Sequence, residues 1–365
     1  MSIKVVTVVG ARPQFIKAAT VSRVVRDEYA GKIDEIIVHT GQHHDANMSR
    51  VFFEELDIPE PKYNLEISGG LHGVMTGRML EAVEKVLLAE EPDWVLIYGD
   101  TNSTLAGALA AAKLHVRVAH VEAGLRSFNM RMPEEINRIL SDRISTLLFC
   151  PTETAVRNLK AEGVHEGVHD VGDVMYDSAL FYRDHARRSS TVLRRLGLQL
   201  QGFALATCHR AENTDEPSRL KAILSALNAI STTLPVVLPL HPRTRKLIAD
   251  YGLQSQLIRL RVVEPLPFLD MVALEQAARI ILTDSGGVQK EAFFYGVPCI
   301  TMRDETEWVE TVNLGMNRLV GASQTAIVEA AEKLLQSELS LSDSLPFGDG
   351  YAARKIAGLL GAAKF

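Results

Sequence analysis

Short runs rich in valine, isoleucine and leucine alternate with amphipathic stretches along this 365-residue chain, and the alternation occurs twice. In the amphipathic stretches, for example residues 72–90, apolar residues recur at helical spacing. The strand-like runs are 4–9, 35–39, 94–98, 116–121 and 147–150 in the first half and 203–208, 236–240, 257–262, 280–284 and 297–302 in the second. Strands that alternate with helices form parallel sheets with helices on both faces. The pattern therefore predicts an α/β fold of two Rossmann-like, doubly wound domains.

The boundary between these domains is expected where the strand pattern stops. Between Asp177 and Gln201 the composition becomes arginine-rich and the strand pattern is lost, as expected for a linker or a connecting helical segment. We therefore predict an N-terminal domain at residues 1–176 and a C-terminal domain at residues 177–348. Residues 349–365 are predicted to form a terminal helix that packs on a further partner or crosses back to the first domain.

The charge of the chain disfavours several kinds of partner. The sequence has 45 acidic and 39 basic residues, a formal net charge of −6, which disfavours attraction to nucleic acid and to anionic lipid. An anionic ligand must therefore meet a local cationic pocket. A small charged metabolite fits that requirement better than a polymer does.

The cysteines and the N-terminal residues bear on the compartment. Cys150, Cys208 and Cys299 lack the spacing of metal ligands, and each lies in or beside an apolar run, so we interpret them as reduced core residues. The apolar start of the chain is followed by Gly10-Ala11-Arg12-Pro13 instead of a small-residue cleavage site. No apolar run approaches the length of about 18 residues that crosses a membrane. These features predict a cytoplasmic protein.

Polar residues that follow the predicted strands are the candidates for a site, because open parallel sheets bind ligands beyond the carboxyl ends of their strands. The candidates of the first half include residues that follow strands and residues on the helices that come next. They are Arg12, Lys17, Gln42, His43, Asp100, Glu122, Glu134 and Arg138. In the second half they are His209, Arg210, Ser285, Gly286, Gly287 and Glu291. Two domains are thus expected to direct polar groups towards one cleft.

Ser285-Gly286-Gly287 opens a helix that is predicted to reach about Tyr295. The free backbone N–H groups and the positive end of the helix dipole would face an anion, and the glycines would let a phosphate approach the main chain. Glu291 lies about one turn further along, where a carboxylate can accept hydrogen bonds from ribose hydroxyls. The simpler alternative is that Ser285 is an ordinary N-cap and that the glycines form a tight turn.

Three carboxylates in the first half have both a structural and a chemical interpretation. Asp100 is either an N-cap or an acid/base group, and Glu134 is either a first-turn partner of Arg138 or a catalytic group. Glu122 directly follows a buried strand, where a carboxylate must be desolvated or hydrogen-bonded, and such conditions shift a pKa towards acid/base work. The histidines, including His43, are too dispersed for a metal site, and no Asp-x-Asp pair is present to hold a divalent ion.

Taken together, the motifs resemble the non-hydrolysing UDP-N-acetylglucosamine 2-epimerase family over nearly the whole chain. The resemblance rests on separated motifs that occur in order: residues 10–13 with Lys17, 40–43, 99–101, 121–126 with 133–138, 209–213, 283–291 and 303–307. It implies the GT-B-like arrangement of two Rossmann-like domains with the active site in the cleft between them. It also implies a homodimer without a metal or cofactor that makes precursors of cell-surface polysaccharides.

The resemblance further implies a reaction. A base removes the C2 proton as UDP leaves C1, and UDP then adds back to the glycal while C2 is protonated on the opposite face. Opposed faces require more than one acid/base group, and Asp100, Glu122 and Glu134 supply three, whose individual roles stay open. The diphosphate would be neutralised by Arg12, His209 and the 285–287 helix start. The other residues that the resemblance assigns to the substrate or to UDP are Lys17, Gln42, His43, Arg138, Arg210, Glu291 and Arg303.

Departures from the usual family pattern resemble the branch that acts on UDP-2,3-diacetamido-2,3-dideoxyglucuronic acid. Gln14 replaces a usual glutamate, and its neutrality would remove repulsion against the C6 carboxylate of that substrate. Arg126 and Arg131 could pair with this carboxylate. Phe15 and Trp308 either pack on the extra acetamido group or belong to the core, and the core interpretation is favoured.

Two functions from other classes compete with this prediction. A GT-B glycosyltransferase that uses a UDP-sugar donor would share the diphosphate site, Glu291 and the two domains, but it does not need three carboxylates in its first domain. A non-catalytic sugar-nucleotide-binding protein gives no reason for Asp100, Glu122 and Glu134 to converge.

Overall fold

A computed structural model of the chain describes residues 2–42, 53, 56–336 and 345–362. The chain divides into two compact units. Unit 1 comprises Met1–Ser178 and Leu345–Phe365, and unit 2 comprises Ala179–Ser344. No helix in the described ranges is both long enough and apolar enough to cross a membrane.

Unit 1 contains a parallel sheet of seven strands in the order β3-β2-β1-β4-β5-β6-β7. The strands are β1 Ile3–Val9, β2 Ile33–His39, β3 Tyr63–Asn64, β4 Trp94–Tyr98, β5 Arg117–Val121, β6 Leu147–Cys150 and β7 Val168–Asp170. The helices are α1 Arg12–Glu28, α2 His72–Glu90, α3 Asn102–Lys113, α4 Pro133–Ile144, α5 Glu153–Ala161 and α6 Val174–Ser189, the last of which continues into unit 2. Every residue of β4 is buried, as expected for a central strand covered on both faces.

Unit 2 contains a parallel sheet of six strands in the order β10-β9-β8-β11-β12-β13. The strands are β8 Ala204–Thr207, β9 Val236–Pro239, β10 Arg261–Val263, β11 Ile280–Thr283, β12 Cys299–Thr301 and β13 Asn317–Leu319. The helices are α7 Val192–Arg195, α8 Ala211–Thr214, α9 Pro217–Ile230, α10 Pro242–Asp250, α11 Phe268–Ala277, α12 Gly286–Phe294, α13 Val309–Asn313 and α14 Gln324–Gln336. The fold is therefore α/β with two doubly wound, Rossmann-like units, which confirms the predicted GT-B-like class.

One predicted strand is misplaced. The strand expected at 257–262 is displaced, because Gln254–Leu257 is a 3-10 helix and β10 begins at Arg261. The segment between Asp177 and Gln201 is largely helical, one of its two expected forms, since α6 runs to Ser189 and α7 follows it. The three cysteines are free and buried. Burial raises the pKa of the Cys299 thiol to about 12.

The C-terminal helix, α15 at Ala352–Ala362, belongs to unit 1 and contacts α1. Its start is held by Asp177 of α6, whose Oδ2 accepts a hydrogen bond of 2.8 Å from the amide of Ala353. Burial raises the pKa of Asp177 to about 6, helped by the negative charges of Asp173 and Asp349 and opposed by the backbone bonds from the helix start. Ionised Asp177 is therefore less stable in the folded protein than in the unfolded chain.

This raised pKa predicts a pH-dependent stability. The contribution of protonated Asp177 is complete below the unfolded pKa of 3.8 and is lost as the pH rises through about 6. A shift of about two pKa units corresponds to about 3 kcal/mol. Asp177→Asn, which still accepts the bond from Ala353, should therefore be more stable than the parent at about pH 8. Its stability advantage over the parent should be about 2 kcal/mol larger at about pH 8 than at about pH 4. Urea unfolding at both values measures this difference, and Asp184→Asn, an exposed change on the same helix, should show none.

Candidate active site

Polar residues follow the two central strands of each sheet, where the strand order reverses. In unit 1, Arg12 begins α1 after β1 and Asp100 follows β4. In unit 2, His209 comes shortly after β8 and Ser285 shortly after β11. Doubly wound sheets bind ligands at this reversal, so each unit presents a candidate half-site there.

Asp100 is held against a guanidinium group. Its Oδ2 accepts a hydrogen bond of 2.6 Å from Nη2 of Arg138, and its main-chain carbonyl accepts one of 2.8 Å from Asn137. The Asp100 side chain remains 29% exposed. One side of this carboxylate is thus fixed by a cation, and the other can meet a ligand.

Glu122 forms a second carboxylate–cation pair. Its Oε2 accepts a hydrogen bond from Nζ of Lys17, and both residues are buried. The backbone of Glu122 has φ 74°, a left-handed conformation that costs a non-glycine residue about 1 kcal/mol and is concentrated at functional sites. A Cβ atom added to Gly99 would lie 3.2 Å from the Glu122 carboxylate and 3.3 Å from Lys17 Nζ. The Lys17–Glu122 pair therefore packs directly against the residue before Asp100.

Glu134 lies half-buried in the first turn of α4, and its carboxylate makes no hydrogen bond or ion pair within the described residues. The expected pairing with Arg138 is wrong, because Arg138 bonds to Glu135 at 2.9 Å as well as to Asp100. Sequence reasoning missed Glu135, which is buried and also accepts bonds from the amides of Ser127 and Phe128. It thereby ties the loop after β5 to α4.

The other unit 1 candidates lie at the same edge of the sheet. Gln42 accepts bonds of 3.0 and 2.7 Å from the amide and hydroxyl of Ser103, in the first turn of α3. Arg12 is half-buried at the first position of α1. His43 lies outside the described residues.

Two residues that were expected to act on the C6 carboxylate of the substrate, Gln14 and Arg126, are buried inside unit 1. Gln14 is buried, and its amide nitrogen donates bonds to the Tyr98 carbonyl and the Thr104 hydroxyl, which an ionised glutamate could not do. These bonds hold Gln14 in the interior, and the expected effect of its neutrality on a substrate carboxylate stays a prediction. The expected pairing of Arg126 with that carboxylate is wrong, because the Arg126 guanidinium is buried against Asp142 and Glu162.

Phe15 and Trp308 are core residues, as the favoured interpretation held. Phe15 has no exposed surface and packs edge-on against His39. Trp308 is 4% exposed, and Nζ of Lys290 lies 3.8 Å from its ring centroid. Both rings therefore belong to the core of their units.

In unit 2, Asp284 organises the loop that carries two candidates. This buried carboxylate accepts bonds of 3.0 to 3.1 Å from the amides of His209 and Arg210 and one of 3.2 Å from the Asn213 side chain. The His209 side chain is left 47% exposed. Sequence reasoning treated Asp284 as the end of a strand and missed this role.

The start of α12 has the features of a candidate anion site, which we call the cradle. Ser285 occupies the N-cap position, but its side chain makes no capping hydrogen bond, which counts against the simple N-cap interpretation. A Cβ atom added to Gly286 would lie 3.6 Å from Nε1 of Trp308, 3.8 Å from Nη2 of Arg210 and 3.9 Å from Nη1 of Arg303. Three nitrogen donors therefore converge on the helix N-terminus, where the dipole also favours a negative charge.

Glu291 and Arg303 flank this cradle. Glu291 is half-buried one turn into α12, and its carboxylate lies 3.9 Å from a Cβ built on Gly287. Arg303 is fully buried, with bonds of 3.0 and 3.2 Å to the carboxylate of Glu307. Glu307 thus fixes the orientation of one of the cradle's cations.

The described residues contain no group of three or more histidine, cysteine, aspartate or glutamate side chains arranged to hold a metal ion. Unit 1 supplies two carboxylates, each beside its own cation, and unit 2 supplies the candidate cradle beside a carboxylate. On two doubly wound units, this combination fits an α/β enzyme of the GT-B-like class.

Comparison with known proteins agrees with this class. A family model described as UDP-N-acetylglucosamine 2-epimerase matches residues 26–361. UDP-2,3-diacetamido-2,3-dideoxy-D-glucuronate 2-epimerase of Pseudomonas aeruginosa is 57% identical over 359 residues, which are 97% of this chain and 98% of the relative. UDP-N-acetylglucosamine 2-epimerase of Methanocaldococcus jannaschii is 43% identical over 99% of this chain and 100% of its own length.

Solved structures point to the same family. The crystal structure of the Methanocaldococcus jannaschii enzyme in complex with UDP-GlcNAc and UDP superimposes with a TM-score of 0.91 at 42% identity, covering 100% of both chains. The chain therefore belongs to the UDP-N-acetylglucosamine 2-epimerase family. It is a UDP-sugar 2-epimerase, which is an isomerase, and this confirms the predicted activity over the glycosyltransferase alternative.

Proposed function

We propose that the substrate of this enzyme is UDP-2,3-diacetamido-2,3-dideoxy-D-glucuronic acid and that the enzyme inverts C2 of that sugar. The observation that carries this proposal is the 57% identity to the Pseudomonas aeruginosa enzyme of that name, against 43% to a UDP-N-acetylglucosamine 2-epimerase of similar coverage. The extra acetamido group and the C6 carboxylate distinguish the two substrates.

The proposed reaction has two halves. In the first, a carboxylate takes the C2 proton while the C1–O bond breaks, which releases UDP and leaves a C1–C2 double bond. In the second, the β-phosphate oxygen attacks C1 while a carboxyl group delivers a proton to the other face of C2. Asp100, Glu122 and Glu134 are the proposed acid/base groups, and Lys17 and Arg138 hold two of them in place.

Unit 2 is proposed to carry the UDP moiety. The N-terminus of α12, with Ser285, Gly286 and Gly287, would receive the diphosphate together with Arg210, His209 and the Arg12 of unit 1. Arg303 would place its positive charge beside the diphosphate as one of the cations of the cradle. Glu291 would accept hydrogen bonds from the ribose hydroxyls. Fixed donors at the leaving group favour C1–O cleavage, because negative charge develops there.

The proposal includes the oligomeric state and the cellular location of the enzyme. We expect a homodimer without a cofactor that supplies precursors for cell-surface polysaccharide. Free, buried cysteines fit the reducing cytoplasm, where we expect the enzyme to act. Light scattering should report twice the mass of 40.1 kDa, and a monomer at working concentration would contradict the dimer.

The substrate proposal is tested by comparing kcat/KM for the diacetamido uronate with kcat/KM for UDP-N-acetylglucosamine. A site that binds the added polar groups should prefer the uronate by at least about 100-fold. Equal values, or a preference for UDP-N-acetylglucosamine, would overturn the proposal while leaving the 2-epimerase activity in place.

Arg131 is the residue proposed to meet the C6 carboxylate. It lies on the loop between β5 and α4, its side chain is exposed, and its guanidinium makes no hydrogen bond within the described residues. Arg131→Gln should lower kcat/KM for the uronate by about 10-fold or more and leave that for UDP-N-acetylglucosamine unchanged, because a charge-assisted hydrogen bond is lost only with the acid. Arg157→Gln, another exposed arginine of unit 1, is the control. Equal losses with both substrates would count against this role.

A further inference from the structure

A buried histidine connects segments that carry the proposed acid/base groups of unit 1. His120 is on β5 and has no exposed surface. Its Nε2 lies 2.7 Å from the carbonyl oxygen of Gly99, and its Nδ1 lies 2.7 Å from Oδ1 of Asp142 on α4. The ring therefore bridges the loop after β4 and the helix α4.

Hydrogen bonds hold both nitrogens of the ring. A carbonyl oxygen can only accept a hydrogen bond, so Nε2 of His120 donates to Gly99, while Nδ1 faces the carboxylate of Asp142. Burial alone would raise the pKa of Asp142, but the hydrogen bond and charge of His120, with those of Arg126, lower it. Contacts from His120 and Arg126 therefore favour the ionised form of Asp142.

The same pair fixes main-chain atoms beside each catalytic carboxylate. Gly99 directly precedes Asp100, and its carbonyl is the acceptor of the His120 bond. Oδ2 of Asp142 accepts a bond of 3.1 Å from the amide of Gly124, two residues after Glu122. Because α4 also carries Glu134 and Arg138, the His120–Asp142 pair connects all three segments that hold the proposed acid/base groups.

The network extends to the surface. Oδ2 of Asp142 also accepts a bond of 2.7 Å from Arg126, whose remaining guanidinium nitrogens bond to Glu162 at 2.7 and 2.8 Å. Asp142 is thus held between the His120 ring and the Arg126 guanidinium. Buried ion pairs are often no more stabilising than apolar residues of the same volume, so stability alone gives little reason for this arrangement. Fixing the separation of two carboxylates gives a stronger reason, since a misplacement of about 1 Å can cost about 100-fold in rate.

We propose that His120, paired with Asp142, is a positioning residue for the epimerisation: it sets the main chain at Gly99 and Gly124 so that Asp100 and Glu122 meet opposite faces of C2. The inference rests on the proposed acid/base roles of those two carboxylates. A structural staple that only stabilises unit 1 is the competing explanation.

Two substitutions separate the bonds of the ring. His120→Asn can still donate to Asp142 but loses the bond to Gly99, and His120→Gln can reach Gly99 but loses Asp142. Each should lower kcat about 100-fold per UDP-binding site. The Kd for UDP should be unchanged, because the groups that bond to the ring, Gly99 and Asp142, are not among the proposed UDP residues. The ratio of released UDP to epimer should rise, since a misplaced acid delays protonation of the glycal.

A second histidine of the same sheet provides the control. His169→Asn, on β7 of the same sheet and half-buried, should leave kcat unchanged. A kcat within about twofold of the parent, counted per UDP-binding site, would overturn the positioning role and leave only the staple. If both His120 variants fail to fold, Asp142→Asn, which keeps the side-chain shape, is measured in the same way and decides between the same two outcomes. Asp100→Asn and Glu122→Gln are run in parallel: activity retained in these two would overturn the acid/base assignment, whatever the histidine variants show.

Discussion

Glu122→Gln should lower kcat by about 1,000-fold and leave the Kd for UDP unchanged. The amide cannot take or give the proton at C2, and the side chain keeps its size. Lys17 would remain as a buried cation without its counter-charge, so a modest loss of stability is expected as well. Steady-state kinetics and calorimetric titration with UDP measure the two quantities separately.

The same sheet offers a matched control at its other end. Glu90 is 8% exposed, like Glu122, and its carboxylate is likewise bonded to a lysine, Lys62. Glu90→Gln removes an ion pair between a buried carboxylate and an exposed lysine, far from the carboxyl ends of the strands. It should lower stability by less than Glu122→Gln, because Lys62 stays solvated, and leave kcat unchanged. Parent-like turnover of Glu122→Gln would remove Glu122 from the acid/base groups.

Gly286→Ala should abolish tight UDP binding without unfolding the protein. The backbone of Gly286 is not left-handed, and the added Cβ would meet its neighbours at ordinary contact distances of 3.6 to 3.9 Å. Alanine at a compatible position stabilises a fold by about 0.4–1 kcal/mol. The same Cβ would occupy the space where the nitrogens of Trp308, Arg210 and Arg303 converge, and it would keep a phosphate from the helix N-terminus. We expect the affinity for UDP to fall by at least about 100-fold, or about 3 kcal/mol.

A second glycine separates this effect from a general response to alanine. Gly77 lies inside α2, and a Cβ built on it meets nothing within 4 Å. Gly77→Ala should raise stability and leave UDP binding and turnover unchanged. Unchanged UDP affinity in Gly286→Ala would show that the diphosphate does not bind at the start of α12.

Much of the fold was predictable because its central strands are buried on both faces and read as continuous apolar runs. The edge strands β3, β7 and β13 are only two or three residues long, which is too short for an apolar strand pattern to be recognised in the sequence. The strand predicted at 257–262 was misplaced because the apolar residues at its start, around Leu257, belong to or follow a 3-10 helix.

The site was predictable to the extent that topology places residues after strands. Asp100, Glu122, His209 and Ser285 could be selected in that way. The residues that hold them could not, because partners such as His120 and Asp284 lie far along the chain from the groups they bind. The choice between Glu134 and Glu135 as partner of Arg138 depends on which way the first turn of α4 faces, and adjacent residues give no signal for that.

Proton NMR of the diacetamido uronate substrate with the enzyme in D2O tests the central claim most directly. The account predicts that the C2 epimer appears with deuterium at C2, because the proton removed by one carboxylate is replaced from a solvent-exchanged group on the other face. An epimer that keeps its original proton at C2, or release of UDP without any epimer, would contradict elimination and re-addition as the reaction of this enzyme.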